Sequence, residues 1–457
     1  MNGVLIAVFL YVLAQLAVGL IVSRGIRSEA DYLVAGRRIG LGLATFSIFA
    51  TWFGAESCVS AAGKFYSEGM AGGITDPFGY AFALILLGVL FAAPLWRRGL
   101  TTLADLFRQR YSGRVERFAA LIMAPTSVFW AAAQIRAFGQ VLTSASELDV
   151  AVGITIAAAV VIIYTCTGGL FADVVTDFIQ GIAIVIGLLA LLAVLLFSSE
   201  VPLAEAWTRL DPARLRFFGG SHGSGWENLE LLTMAVCGSL VAQEVIARTL
   251  ATRTPAIARQ ATLLGGSLYL VVGLIPAFLG LVGASLLPEL ADPEHVLPRM
   301  AEKYLPTLVY VLFVGALISA ILSTVDSTLL AASSLISHNL IFSLQPRMSD
   351  RARLFTARGG VVFFGIVAYG LALGAESIFD LVQQANGVGS AGIFVLMVFG
   401  LYSGKGGPRT GLATLIVGLG TWVYGTYLGA WTYTYLISLG ASLATFIVAA
   451  TLEPKRA

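Results

Sequence analysis

Charge is scarce in this 457-residue chain: Asp, Glu, Lys and Arg make up 12%, hydrophobic residues make up 58%, and the mean hydropathy is +0.86. A soluble protein of this length would carry about twice that share of charge. A soluble globular domain is therefore excluded, and a polytopic membrane protein is expected. The net charge is only +2, with no basic run or charged tail, which excludes a nucleic-acid partner. Cysteine is rare as well. Cys58, Cys166 and Cys237 all lie in apolar stretches, so no disulfide framework is expected. The three histidines, His222, His295 and His338, fall in or beside predicted loops without metal-ligand spacing, which argues against zinc. An embedded enzyme would need a nucleophile with its base, or a metal cluster, and the histidines are too few and too scattered for either. No linker, low-complexity tract or soluble domain is visible; the one sizeable insert is 199–227, which is expected to cover part of the outer face. The sequence stops at TLEPKRA, where a carrier-like sensor would be expected to continue into a signalling domain.

Apolar sequence abounds, in runs near the ~20 residues needed to cross a bilayer. Thirteen spans are expected: 4–23, 40–65, 72–96, 116–145, 149–167, 172–198, 228–248, 258–288, 305–338, 357–375, 378–402, 409–428 and 431–452. The first has no small-residue cleavage site, and its arginine flank lies on the wrong side for a secretory signal, so it counts as a helix. With the amino terminus outside, the cytoplasmic connections collect 21 of the 28 basic residues, among them those of RTLATRTPAIAR at 248–259. That bias predicts an N-out, C-in protein of the plasma (inner) membrane. Trp207, Trp226, Trp422 and Trp431 then fall at or beyond the outer interface.

Two spans are interrupted. FATWFGAES (49–57) places Gly54 between two aromatics and Glu56, and AVCGSLVAQE (235–244) carries Gly238-Ser239 at similar depth. Both read as discontinuous helices, although such glycines would also serve tight packing. They stand five spans apart, which suggests five-helix repeats over 40–198 and 228–402, with one extra helix at 4–23 and two more at 409–452.

The stretch ISAILSTVDSTLLAASS (318–334) holds seven hydroxyls and Asp326 inside an apolar run. At 3.6 residues per turn, Ser319, Ser323, Asp326, Ser327, Leu330 and Ser334 share one face, bordered by Thr324. Neutral hydroxyls beside one carboxylate suit a hard, singly charged cation, sodium above all. The alternative is that these hydroxyls bond back to carbonyls one turn earlier.

At this point the chain resembles the sodium:solute symporters, all-α carriers with the LeuT-type inverted repeat. The resemblance rests on DYLVAGRRIGLGLATFSIFATWFGAES (31–57), YTCTGGLFADVVTDFIQ (164–180) and GALISAILSTVDSTLLAASSLISHNL (315–340), in that order and spacing. It implies a single transporter domain, sodium as the coupled ion, a small-molecule solute, and a monomer or homodimer in the bilayer. It also implies a sodium site made of the carbonyls of Ala50, Phe53 and Ala320 and the hydroxyls of Ser323 and Thr324. A second sodium or a proton would use Asp177, Asp326 and Ser327. Asp326 departs from members that carry serine there.

Within the family, ATW (50–52), GYAFALILLG (79–88) and FWAAA (129–133) look most like the high-affinity choline transporter branch. That likeness implies an aromatic box of Trp52, Tyr80 and Trp130 around a quaternary ammonium, a contact worth about 2 kcal/mol or more when desolvated. Plain aromatic packing is the alternative for each ring. One expected tryptophan wall is Ala242 here. Asp76, four residues before Tyr80, could face the same ligand as a counter-charge, and Gln134 and Gln243 join the expected solute contacts. Arg136 could clamp a carboxylate or pair internally with Glu56 or another acid, and Glu244 is a further membrane charge. The expected activity is sodium-coupled import of a quaternary amine or zwitterion such as choline or betaine. An amino acid such as proline, a monocarboxylate or a sugar is the alternative, followed by a proton-coupled carrier or a channel.

Overall fold

Lipid offers backbone N–H and C=O groups no partner but one another, so apolar runs of this length fold as helices. The computed structural model describes residues 3–23, 28–144, 148–198, 203–217 and 225–453. The helices that frame the core are α1 (Gly3–Ser23), α2 (Glu29–Val34), α3 (Leu41–Trp52), α4 (Ala61–Glu68), α5 (Tyr80–Leu86), α6 (Leu103–Arg110), α7 (Gly113–Ser144), α8 (Val150–Thr167) and α9 (Leu170–Phe197), with shorter helical segments between them. There follow α10 (Gly225–Leu240), α11 (Gln243–Leu250), α12 (Pro255–Leu286), α13 (Thr307–Ile336), α14 (Asp350–Gly374), α15 (Ile378–Gly387), α16 (Ser390–Tyr402), α17 (Pro408–Val423) and α18 (Thr434–Leu452). His222 and the tail after Glu453 lie outside the described residues.

Among the described residues, nine helices are long and apolar enough to span a membrane, and the bent pair α15–α16, at 42°, makes a tenth. The expected count of thirteen is not reached on this measure. Leu13–Ser23, Leu41–Trp52 and Val150–Cys166 are apolar but short, and the two expected spans at 40–65 and 72–96 share one continuous helical stretch from Glu56 to Arg97. A crossing built from two half-helices does not register as one long run.

The centre of the molecule is α13. It packs most extensively on α7 and α9, and α3 lies between α9 and α12. From Phe313 to Leu335 nearly every α13 residue is buried, its hydroxyls included. Helices α17 and α18 pair with each other at the periphery, which buries Trp422 to 5% exposure, whereas Trp207 and Trp226 are exposed as an interface position requires. In the insert after α9, Arg214 donates to the Phe65 and Ser67 carbonyls at the end of α4 (3.2 and 3.4 Å) and to that of Tyr66, so the segment before 218 clasps that end of α4.

The opposite face is closed by charge. Glu29 on α2 accepts from Arg353 on α14 (2.8 Å) and bonds His338, whose Nε2 stands 3.3 Å from Asp105 on α6. Asn339 donates to Asp105 (3.1 Å) and to Glu116 on α7 (2.9 Å). Burial alone would raise the Glu29 carboxyl, but the His338 hydrogen bond and charge, joined by Arg353, hold it below its ordinary value. A carboxylate so lowered stabilises the fold above its unfolded pKa of about 4.3, and that contribution is lost as pH falls through the lowered value. Glu29→Gln is expected to lower the melting temperature of the purified protein by a few degrees at neutral pH. The gap to the unsubstituted protein should close as pH is taken below about 4, followed by thermal unfolding at fixed pH steps.

Candidate functional site

Helix α3 stops at Phe53, where ψ swings to 70°. Beyond it the Ala55 N–H has no carbonyl a turn back, and the Gln134 Oε1 of α7 accepts it at 2.9 Å. Gly54 makes this approach possible: a Cβ there would sit 2.6 Å from Thr324 Oγ1 and 2.8 Å from Gln134 Oε1. The second break lies between α10 and α11, where Ala242 is extended (ψ 122°). At Gly238 a Cβ would meet the Asn386 carbonyl at 2.8 Å.

The α3 break faces the hydroxyls of α13. Ser323 Oγ donates to Ala50 O at 2.9 Å, with Thr324 Oγ1 3.4 Å from the same oxygen. Both hydroxyls also reach Ala320 O, at 2.9 and 3.1 Å. Four of the five expected sodium ligands thus converge on one point with hard oxygens only, a set suited to an alkali cation. Phe53, the fifth, sits at the end of α3, its N–H bonded to Phe49 O. The other α13 hydroxyls have different partners. Ser319 bonds Tyr11 of α1 and the Gly315 carbonyl, Thr328 and Ser334 bond back within the helix, and Ser333 bonds the Ala357 carbonyl of α14.

One turn deeper the structure holds a cation of its own. The Arg248 guanidinium, 1% exposed, reaches Asp177 at 3.0 Å and Ser47 Oγ at 2.9 Å, and it bonds Asp173 and Ser327. Ser47 in turn donates to Asp177 at 2.6 Å. Asp173, Asp177 and Asp326 each place an oxygen within 4.8 Å of the others, and Asp326 accepts the Ser327 N–H at 2.9 Å. At Asp177 and Ser327, expected to hold a second ion, the guanidinium already makes contact. Hydropathy and charge bias place Arg248 in a cytoplasmic loop, so the sequence gives no hint of this role. Asp173, four residues before Asp177 and on the same helix face, is a signal the sequence does carry, although it is absent from the expected ligand set.

The three box aromatics do meet. Trp52 and Trp130 lie 4.3 Å apart between ring centroids, Trp52 and Tyr80 6.2 Å, and Tyr80 and Trp130 6.5 Å. The Tyr80 hydroxyl donates to Glu56 (2.8 Å) and accepts from Asn386 Nδ2 (2.7 Å). A narrow cleft beside Trp130 is bordered by Gly238, Ala242, Glu244, Asn386 and Ser390, so it opens where the tryptophan wall is replaced by Ala242. Buried in this region without hydrogen-bond partners are Trp52 Nε1, Trp130 Nε1, Gln134 Nε2, Glu244 Oε1 and Asn386 Oδ1.

Three expectations change. Asp76 does not lie on the Tyr80 face of a helix, because its backbone is extended (φ −129°, ψ 125°) and the helix starts after it; Ser57 and Tyr269 hold its carboxylate at 2.8 Å each. Glu56 is instead the acid bonded to the box. Gln243 is committed elsewhere: its Oε1 accepts the Leu103 N–H at 2.9 Å, tying α11 to the start of α6. Arg136 does not pair with Glu56; the acid that feels its charge is Glu294, in keeping with the other-acid alternative. Arg136 donates to the carbonyls of Ala372 (3.2 Å) and Glu376 (2.8 Å), where the helix end of α14 attracts a cation.

The model of the Sodium:solute symporter family matches residues 32–418. High-affinity choline transporter 1 of Caenorhabditis elegans is 26% identical over 450 residues, covering 91% of this chain and 76% of that protein. The human high affinity choline transporter 1 is 28% identical over 374 residues, 78% of this chain, which spans only 63% of that relative. The sodium/pantothenate symporter of Haemophilus influenzae is 25% identical, covering 93% of this chain and 91% of that protein. Among solved structures, a Na+-coupled sialic acid symporter in an outward-open state superposes with a TM-score of 0.87 at 20% identity, covering 99% and 98% of the two chains.

Arg248→Met should cost about 3–5 kcal/mol of stability, since it leaves buried carboxylates without their cation. Adding Asp177→Asn should recover part of that loss. Denaturant unfolding of the single and double variants measures both.

Proposed function

The chain belongs to the sodium:solute symporter family, and we propose that it imports a small organic cation of the choline type together with sodium, by alternating access across the plasma membrane. The amino terminus is outside and the carboxyl terminus cytoplasmic. The reading rests on one observation above the rest: Ala50 O, Ala320 O, Ser323 Oγ and Thr324 Oγ1 converge across a helix break. Sodium there ties α3 to α13. An ordered α3 break in turn positions Trp52, two residues beyond Ala50. Each ligand thereby raises the other's affinity by the same factor. The membrane potential adds about 2.3 kcal/mol per charge per 100 mV to the inward sodium gradient.

The cation is favoured over carboxylate-bearing solutes by the distribution of charge. Glu56, Asp76 and Glu244 are buried around the rings, and among the described residues none of them forms an ion pair. The two arginines within reach of the core are engaged, Arg248 by aspartates and Arg136 by carbonyls. A carboxylate on the solute would meet acids and no free base. A zwitterion such as betaine or proline is therefore the second reading. The three aspartates around one guanidinium leave that cluster formally negative, which favours a second coupled cation, sodium or a proton, whose measure is the charge moved per solute.

Ser323→Ala with Thr324→Ala is expected to raise the sodium concentration for half-maximal uptake at least ten-fold in proteoliposomes, and unchanged sodium dependence would refute the assignment. Trp130→Ala removes a cation–π face worth about 2 kcal/mol, roughly thirty-fold in affinity. It should weaken solute uptake by that order while sodium-dependent thermal stabilisation persists.

A further inference from the structure

Aromatic boxes and carboxylates recognise different parts of an organic cation. A quaternary ammonium is held by π faces on several sides and offers no N–H; a protonated amine or guanidinium asks for acceptor oxygens. The walls of this site are weighted toward the second kind. One aromatic wall is absent, with Ala242 lining the cleft in its place. Trp52 and Trp130 are in edge contact with each other at 4.3 Å, so these two rings do not stand as facing walls of a box.

Unpartnered donors, Trp52 Nε1, Trp130 Nε1 and Gln134 Nε2, belong to α3 and α7, whereas the unpartnered acceptors come from the opposite elements, α11 and α15. Glu244 Oε1 and Asn386 Oδ1 are buried without a donor, and both residues line the cleft beside Trp130. Asn386 continues through Tyr80 to Glu56, a third acceptor on the same hydrogen-bonded chain. The donors that reach the nearby acids, Tyr80 on Glu56 and Ser57 with Tyr269 on Asp76, are neutral hydroxyls and not cations. Helix α11 begins at Gln243, so Glu244 stands in its first turn and its backbone is fixed by the break. A site built to hydrogen-bond its ligand rejects analogues that cannot return the bond, because its buried acceptors are then left without a donor.

We infer that the solute is an organic cation whose charged nitrogen carries N–H, a primary or secondary amine or a guanidine, held between Glu244, Asn386 and the Trp130 ring, rather than a quaternary ammonium. The inference rests on the cation-symport reading and replaces its choline-type nitrogen by one that carries N–H. It assigns Glu244 and Asn386 as specificity-determining residues, with Glu56 acting on the ligand through Tyr80.

The test is an N-methylation series at constant skeleton: ethanolamine, its N-methyl and N,N-dimethyl forms, and choline, alongside guanidine and tetramethylguanidine. Each is titrated against the purified full chain in nanodiscs, in sodium and in potassium, with thermal shift and radiolabelled ethanolamine uptake as readouts. The uncharged choline isostere 3,3-dimethylbutan-1-ol serves as the control for charge. Affinity in sodium is expected to fall with each methyl, at least ten-fold from ethanolamine to choline. Glu244→Gln should flatten the series by weakening ethanolamine and sparing choline, and Glu56→Gln offers the same reading if the first variant does not fold. Choline binding as tightly as ethanolamine overturns the inference and leaves cation symport standing. Binding of the uncharged isostere as tight as that of ethanolamine, or no sodium-dependent shift with any probe, overturns both.

Discussion

Arg248 is the fixed point of this molecule. Its guanidinium is fully withdrawn from solvent and joins α3 through Ser47, α9 through Asp173 and Asp177, and α13 through Ser327, while its own helix follows the second break. A charge in this position is tolerable only because every neighbour answers it. The same contacts set the depth at which α13 meets α3, and that depth brings Ser323 and Thr324 opposite Ala50 rather than a turn away. An arginine also differs from a bound ion in that it cannot leave. The guanidinium is thereby a permanent strut among three aspartates, two of which it contacts directly.

Around that strut, the two helix breaks impose opposite demands. Each frees backbone polar groups that lipid would leave unsatisfied, and each is completed by a side chain from another helix or by a ligand. At the first break Gln134 takes the Ala55 N–H and the hydroxyls of α13 cover the Ala50 carbonyl. Beside the second, the Gln243 Oε1 accepts the Leu103 N–H, so the break holds the start of α6 against the core. Glu29, His338, Asp105 and Arg353 then close that face. The aromatic cluster, the hydroxyl face of α13 and the charged closure are thus tied to the same two helix breaks.

Legibility varies with the kind of signal. The Ser323-Thr324 pair stands out because hydroxyls in an apolar run cost desolvation unless something bonds them, and their density on one face singles out α13. Asp76 is misplaced by its spacing, since four residues to Tyr80 imply a common face only within a helix, and Pro77 delays the helix start past it. Arg248 escapes a hydropathy reading because a break at Ala242 lets the chain re-enter the core after the apolar run has ended. A tally of basic residues by loop assumes that spans end where hydropathy does.

The sequence by itself determined that this is a helical membrane protein with two interrupted helices and a hydroxyl-lined face, because lipid permits few structures and composition and periodicity report directly on them. That it is a carrier was legible only through the resemblance of its motifs to a family. Only the tertiary structure decided which acid faces the rings, which arginine is buried, and which glutamine supports backbone rather than solute. Those outcomes depend on contacts between residues tens to hundreds of positions apart, whose direction is settled by how half-helices turn at their breaks.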